Sequence, residues 1–356
     1  MRKLLVTALL TMAAVAGSMA PASAAAAGVK CGDTITGAVR LRSDLNCEGV
    51  GLYLSSGASL DLGGHRLKGR HGGIALATDP EPQSTAPVSV RNGTVAGWRH
   101  VFSDDDFALL YVRITNVTFS GIEKGILDSI YVDAVIDRSS FRQAPIGFFW
   151  GGSLAVRSSS FVDSDVVGGP AVPSISVQLS SFVRSRLEGS CTDGGSITVT
   201  RSAFRDGASG LDAGACGLTV SHSDFSHLAV ALRADKNSGL GSVGTHQLVN
   251  NTFRRNGVAL ELNHQALVRS NYFSRNGVGV HSETAELGDV AVEDIVLDRN
   301  VFVRNGDGVV VDSLTHVGGN LAVWNTRYGL YVPRAVDRGR NVARHNGVDC
   351  VGVACS

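Results

Sequence analysis

Nine phenylalanines recur at nearly equal intervals: Phe119, Phe141, Phe161, Phe182, Phe204, Phe225, Phe253, Phe273 and Phe302. The steps are 22, 20, 21, 22, 21, 28, 20 and 29 residues, and smaller residues continue the column at Ala322 and Ala343. A fixed period near 21 residues marks a solenoid, in which each unit buries its apolar side only by stacking on its neighbours.

The residues around each Phe define the kind of solenoid. Two positions before it stand small polar residues, Ser139, Ser159, Ser180, Ser202 and Ser223, then Asn251, Asn271, Asn300, Asn320 and Asn341. Short runs of alternating polarity flank them, and a period of two is strand rather than helix. Arg-Asn-Gly recurs at 255–257, 275–277 and 304–306, and Asn-Gly is expected to supply positive φ at a tight corner. Three short strands and three turns then make one coil of about 21 residues, rising one strand spacing, about 4.7–4.9 Å. Like residues pile into ladders over roughly 14 coils from Ile35 to Val351, if each coil takes one period.

On these features the chain resembles the single-stranded right-handed parallel β-helix proteins of the pectin lyase-like superfamily. The resemblance lies in the Ser/Asn turn ladder, the Phe stack and the opening segment from Ala58 to Leu67. It implies an all-β fold over residues 25–356 and a substrate groove along one parallel sheet. The superfamily's enzymes include lyases, hydrolases and epimerases of polysaccharides. No catalytic signature of those enzymes occurs here, so the resemblance carries over architecture and groove position only.

Arg2 and Lys3, the apolar run from Leu4 to Val15 and the small residues Ala22, Ser23 and Ala24 have the grammar of a secretory signal peptide over residues 1–24. A secreted, monomeric protein is expected. No later stretch is apolar for long enough to span a membrane. The 32 basic and 32 acidic residues cancel, so the net field gives no reason to expect nucleic acid as partner. In an exported chain the six cysteines read as disulfides. Proximity favours Cys31 with Cys47 and Cys350 with Cys355, pinning the two ends, while Cys191 and Cys216 follow equivalent strands in successive coils.

The two long Phe intervals place insertions within Ala234 to His246 and Ser282 to Asp294, both after the strand that follows the Asn-Gly corner. Such insertions wall one side of the rod. On that strand Val258 and Leu260 are expected to point inward, with Ala259 and Glu261 outward. The matching outer positions are read as Arg233, His281 and Asp312. Glu261, His281 and Asp312 are the acid-base candidates, and Arg233 and Lys236 the contacts for an acidic sugar. Alternatively the carboxylates hold Ca²⁺, with Arg233 or His281 as the base of a lyase. Solvated outer strand positions with alternating signs pairing across strands would give the same pattern without function. The expected partner is a polysaccharide or cell-surface glycan, acted on by an enzyme or held by a non-catalytic solenoid. Asp104, Asp105 and Asp106, the histidines at 222, 227, 246 and 264, and Trp98, Trp150 and Trp324 are weaker candidates. Solvation, turns and core packing account for each of them.

Overall fold

The computed structural model describes residues 28–78, 86–103, 109–128, 131–148, 151–172, 174–191, 194–214, 216–234, 246–263, 265–282 and 295–356. The signal-like segment, Asp104 to Asp106, Trp150, Lys236, His264 and most of both insertions lie outside the described residues.

The described chain is an all-β solenoid of about 13 turns about 21 residues apart. One coil shows its logic. A leading strand, Ser174–Gln178, is followed by a strand carrying Phe182, Ser181–Val183, and by a trailing strand, Leu187–Gly189. Each pairs in parallel with its counterpart one coil on, as in Ile175 with Ile197, Phe182 with Phe204 and Leu187 with Leu211. The rod therefore has three faces, called here leading, phenylalanine and trailing.

Inside, the phenylalanines stack as their spacing demands. Successive ring centroids from Phe119 to Phe302 lie 4.5 to 5.2 Å apart, and the planes differ by no more than 12°. The strand spacing imposes that separation. Val95 extends the column below Phe119, and Ala322 and Ala343 extend it above Phe302.

Polar ladders run beside this core where the chain turns, because a buried backbone N–H without a partner costs free energy. The Ser139 N–H donates to Ser159 Oγ at 3.1 Å, and that hydroxyl donates to the Arg157 carbonyl at 2.7 Å. From Asn251 onward asparagine replaces serine. Its amide nitrogen donates both to the Val220 carbonyl, at 2.9 Å, and to Asn271 Oδ1, at 3.1 Å.

A second asparagine ladder, buried at Asn256, Asn276, Asn305 and Asn325 and half-buried at Asn346, follows the phenylalanine strands. It corrects the expected role of Asn-Gly. The positive φ belongs to the preceding residue, at 55° in Arg255 and 56° in both Arg275 and Arg304, while the asparagine side chain points into the rod. The glycine is needed for close approach: a Cβ on Gly257 would stand 2.6 Å from the Ala229 carbonyl oxygen.

All three disulfides join the expected partners. Cys31–Cys47, Cys191–Cys216 and Cys350–Cys355 have Cα separations of 5.5, 4.7 and 6.4 Å.

Candidate functional site

The outer side of the trailing face carries an unbroken run of ionisable side chains. Backbone register places Glu188 beside Asp212, Asp212 beside Arg233, Arg233 beside Glu261, and Glu261 beside His281. Five successive coils thus present Glu, Asp, Arg, Glu and His in one column along the rod axis. The Gly147 and Val167 rungs precede it, and Val310 and Tyr331 follow.

Arg233 organises the centre. Its Nε and Nη2 donate to Glu261 Oε2 at 3.1 and 3.0 Å, and its Nη1 lies 3.8 Å from Asp212 Oδ2. The three side chains are 38%, 27% and 26% exposed, so solvent or a ligand reaches all of them. Glu188 pairs with Arg186 at 3.0 Å, and Arg186 also reaches Asp165 at 3.2 Å. One guanidinium between two carboxylates leaves the column net acidic around a single fixed cation. Such an arrangement holds the guanidinium in one orientation and places carboxylates that can move protons beside it.

Two inward and outward assignments change. Asp312 is exposed but lies outside the column, because Val310 pairs with His281. The segment Gly306-Asp307-Gly308 offers two glycines, and the corner glycine is Gly306. Its N–H reaches Asn276 O at 2.9 Å, as the Gly277 N–H reaches Asn256 O at 2.8 Å. Counting four residues from Gly306 lands on Val310, two short of Asp312. Ala259, expected outside, is fully buried. It occupies a ladder of small residues, next to Gly279, where a Cβ would stand 2.9 Å from the Phe302 ring. Small side chains leave room there for the aromatic stack.

Asp212 and Glu188 were missed by sequence reasoning. The signal for Asp212 is a constant offset of eight from the phenylalanine, which relates Phe204 to Asp212, Phe225 to Arg233, Phe253 to Glu261 and Phe273 to His281. Glu188 breaks it, standing six after Phe182 because that corner is shorter.

The weaker candidates separate. Trp98 is buried and donates from Nε1 to the Leu67 carbonyl at 3.2 Å. His246 is buried in the leading face. His222 and His227 sit at positive-φ corners. No group of three or more His, Cys, Asp or Glu side chains among the described residues is arranged to hold a metal ion. Among the described residues no helix is long and apolar enough to cross a membrane. The three disulfides are compatible with an extracellular protein.

Residues 188–345 match the family model described as the right handed beta helix region, a span that begins at Glu188 and contains the rest of the column. Comparison with the curated proteins and with the solved structures returns no match. With that match added to three faces of stacked parallel strands, the chain is a right-handed parallel β-helix repeat protein, an architecture consistent with the pectin lyase-like superfamily.

Proposed function

We propose that this is a secreted β-helix protein that acts on an extracellular acidic polysaccharide bound along the outer side of the trailing face. The observation that carries the reading is the column Glu188, Asp212, Arg233, Glu261, His281. Cross-strand pairing alone explains an arginine beside an acid, but not two acids on neighbouring rungs at one end of the column and an imidazole beside Glu261 at the other. A linear polymer lying along the rod axis meets these groups one after another. Arg233 binds a uronate carboxylate, Glu261 and Asp212 serve as acid and base on either side of it, and His281 stands beside Glu261 as a proton relay. The strands bearing Arg233 and His281 end at Ala234 and Ser282, where the long insertions begin, and Lys236 in the first of them supplies a further cation. The reaction is β-elimination, hydrolysis or epimerisation; in a lyase form, Ca²⁺ would have to take part of its ligands from the uronate itself, since the described residues offer no three-ligand cluster.

The test is incubation of the mature protein with a panel of uronate polysaccharides, with and without Ca²⁺, following unsaturated and reducing ends. Glu261→Gln and His281→Ala are expected to lower turnover by about 100-fold or more without shifting Tm. Retention of the glycan with no product would leave the alternative, a non-catalytic solenoid that binds glycan or cell-surface material.

A further inference from the structure

A second ladder runs along the corner between the phenylalanine and trailing faces. It contains Gln143, Asp163, Arg184, Asp206, His227, Arg255, Arg275, Arg304, Trp324 and His345, every one with φ between 49° and 60°. The same backbone turn repeats on each coil, so these side chains project from the rod one strand spacing apart.

The two halves of this ladder differ in charge. In the first half signs alternate and pair: Arg184 donates to both oxygens of Asp163 at 2.7 and 2.8 Å, and His227 lies 3.8 Å from Asp206. Ordinary cross-strand pairing accounts for it. In the second half three arginines follow one another. No carboxylate among the described residues pairs with Arg255, Arg275 or Arg304. Like charges on adjacent strands are unfavourable, and left-handed backbone disfavours a long side chain where Asn or Gly would fit. Arg255 Nη1 lies 3.4 Å from His227 Nε2 and Arg304 lies over the Trp324 ring, but neither contact supplies the negative charge that three neighbouring guanidinium groups call for.

The surroundings suit a ligand. The three arginines line a depression of about 450 Å³ together with His227, Arg254 and Tyr272. Arg254 is already paired with Asp224 at 2.6 Å, whereas Tyr272 is 41% exposed. On the rung after Arg304, Trp324 is 54% exposed, its ring 5.6 Å from the Arg304 guanidinium and stacked on His345 at 6.2 Å. Fixed cations in a row, with aromatic faces beside them, match a chain of rings that each bear a negative group.

We propose that the corner formed by Arg255, Arg275 and Arg304, with Tyr272 and Trp324, is a binding site for a linear anionic glycan with a carboxylate or sulfate on successive sugars. It stands on different residues from the trailing-face column, although the ligand class overlaps. The glycan lies parallel to the rod axis, each guanidinium taking one anionic group and the exposed rings taking the apolar faces of the sugars. A formal net charge of zero supplies no long-range attraction that would favour nucleic acid.

Binding of the full chain to polygalacturonate, heparin, dextran and a thymidine oligonucleotide, measured by titration calorimetry at two salt concentrations, tests the assignment. Wild type should bind at least one of the two anionic glycans, more weakly at high salt, and bind neither dextran nor the oligonucleotide. The combined R255N, R275N and R304N variant should lose at least about tenfold in affinity. Asn suits the left-handed turn, so its Tm should not fall. The corresponding Lys variant should keep most of the binding, and Trp324→Ala gives a check that spares the arginines. Unchanged affinity in the Asn variant, binding of neither anionic glycan by wild type, or preference for the oligonucleotide would overturn the proposal. Arginine-dependent binding without any turnover would sink the trailing-face reading alone, and turnover with arginine-independent binding would sink this one alone.

Discussion

Asn276 shows how much one buried side chain does in this rod. It accepts from the backbone N–H and the side-chain amide of Asn256 at 2.9 and 3.0 Å, and donates to the Phe253 carbonyl at 3.1 Å and to Asn305 Oδ1 at 3.0 Å. Truncating it strands donors and acceptors on neighbouring coils at once. Asn276→Ala is therefore expected to cost about 2–4 kcal/mol in urea unfolding. Asn276→Ser should cost less, since serine performs part of the same task at Ser164, whose hydroxyl accepts from the Ala144 N–H at 3.0 Å. The arginine before Asn256, Asn276 and Asn305 has the opposite character. It bears the positive φ of the turn and points outward, so its identity is free to be set by what it binds.

At the scale of a strand, pairing and side-chain stacking reinforce each other. Phe182 lies 4.6 Å from the Phe161 ring and 4.5 Å from the Phe204 ring, with no solvent exposure. Phe182→Ala should destabilise by about 3–5 kcal/mol, read from the shift of the denaturant midpoint. These elements were legible in the sequence because each phenylalanine and its small polar companion recur at fixed separation, and stacking one coil on another is the only way to bury them. The trailing strands were harder to place. Their apolar signal is only Leu, Val and Ala, the corner before them varies in length, and paired glycines at Gly306 and Gly308 blur the count. Asp312 was drawn into the column for that reason, while Asp212, at the common offset from Phe204, was passed over. The serine and asparagine ladder was read correctly as a turn feature, yet the second asparagine ladder was hidden inside what looked like ordinary turn residues.

Across the whole molecule, the core of a solenoid runs along its axis and is open at both ends, so the ends must be closed locally. Asp337 helps to close the C-terminal end: its carboxylate accepts from Ala354 N–H at 2.8 Å, Gly339 N–H at 2.7 Å and the Asn341 amide at 3.2 Å. The Ala354 and Gly339 hydrogen bonds hold its pKa below the ordinary 3.8 and outweigh the opposing effect of burial. A depressed carboxyl pKa stabilises the folded end above about pH 4, and that contribution fades as pH falls through the lower folded value. Limited proteolysis of the last coil should accelerate in that acidic window, and Asp337→Asn should abolish the pH dependence while leaving the end loose at neutral pH. The change from serine to asparagine along the buried ladder bears on the rest of the rod. A hydroxyl bridges one gap between rungs, but an amide clasps the coil below and the coil above together. The coils from Asn251 onward, which hold Glu261, His281 and the three guanidinium groups that face no carboxylate among the described residues, are consequently laced more tightly than the serine coils before them. Charged groups fixed there keep their spacing against bending, much as marks on a ruler do.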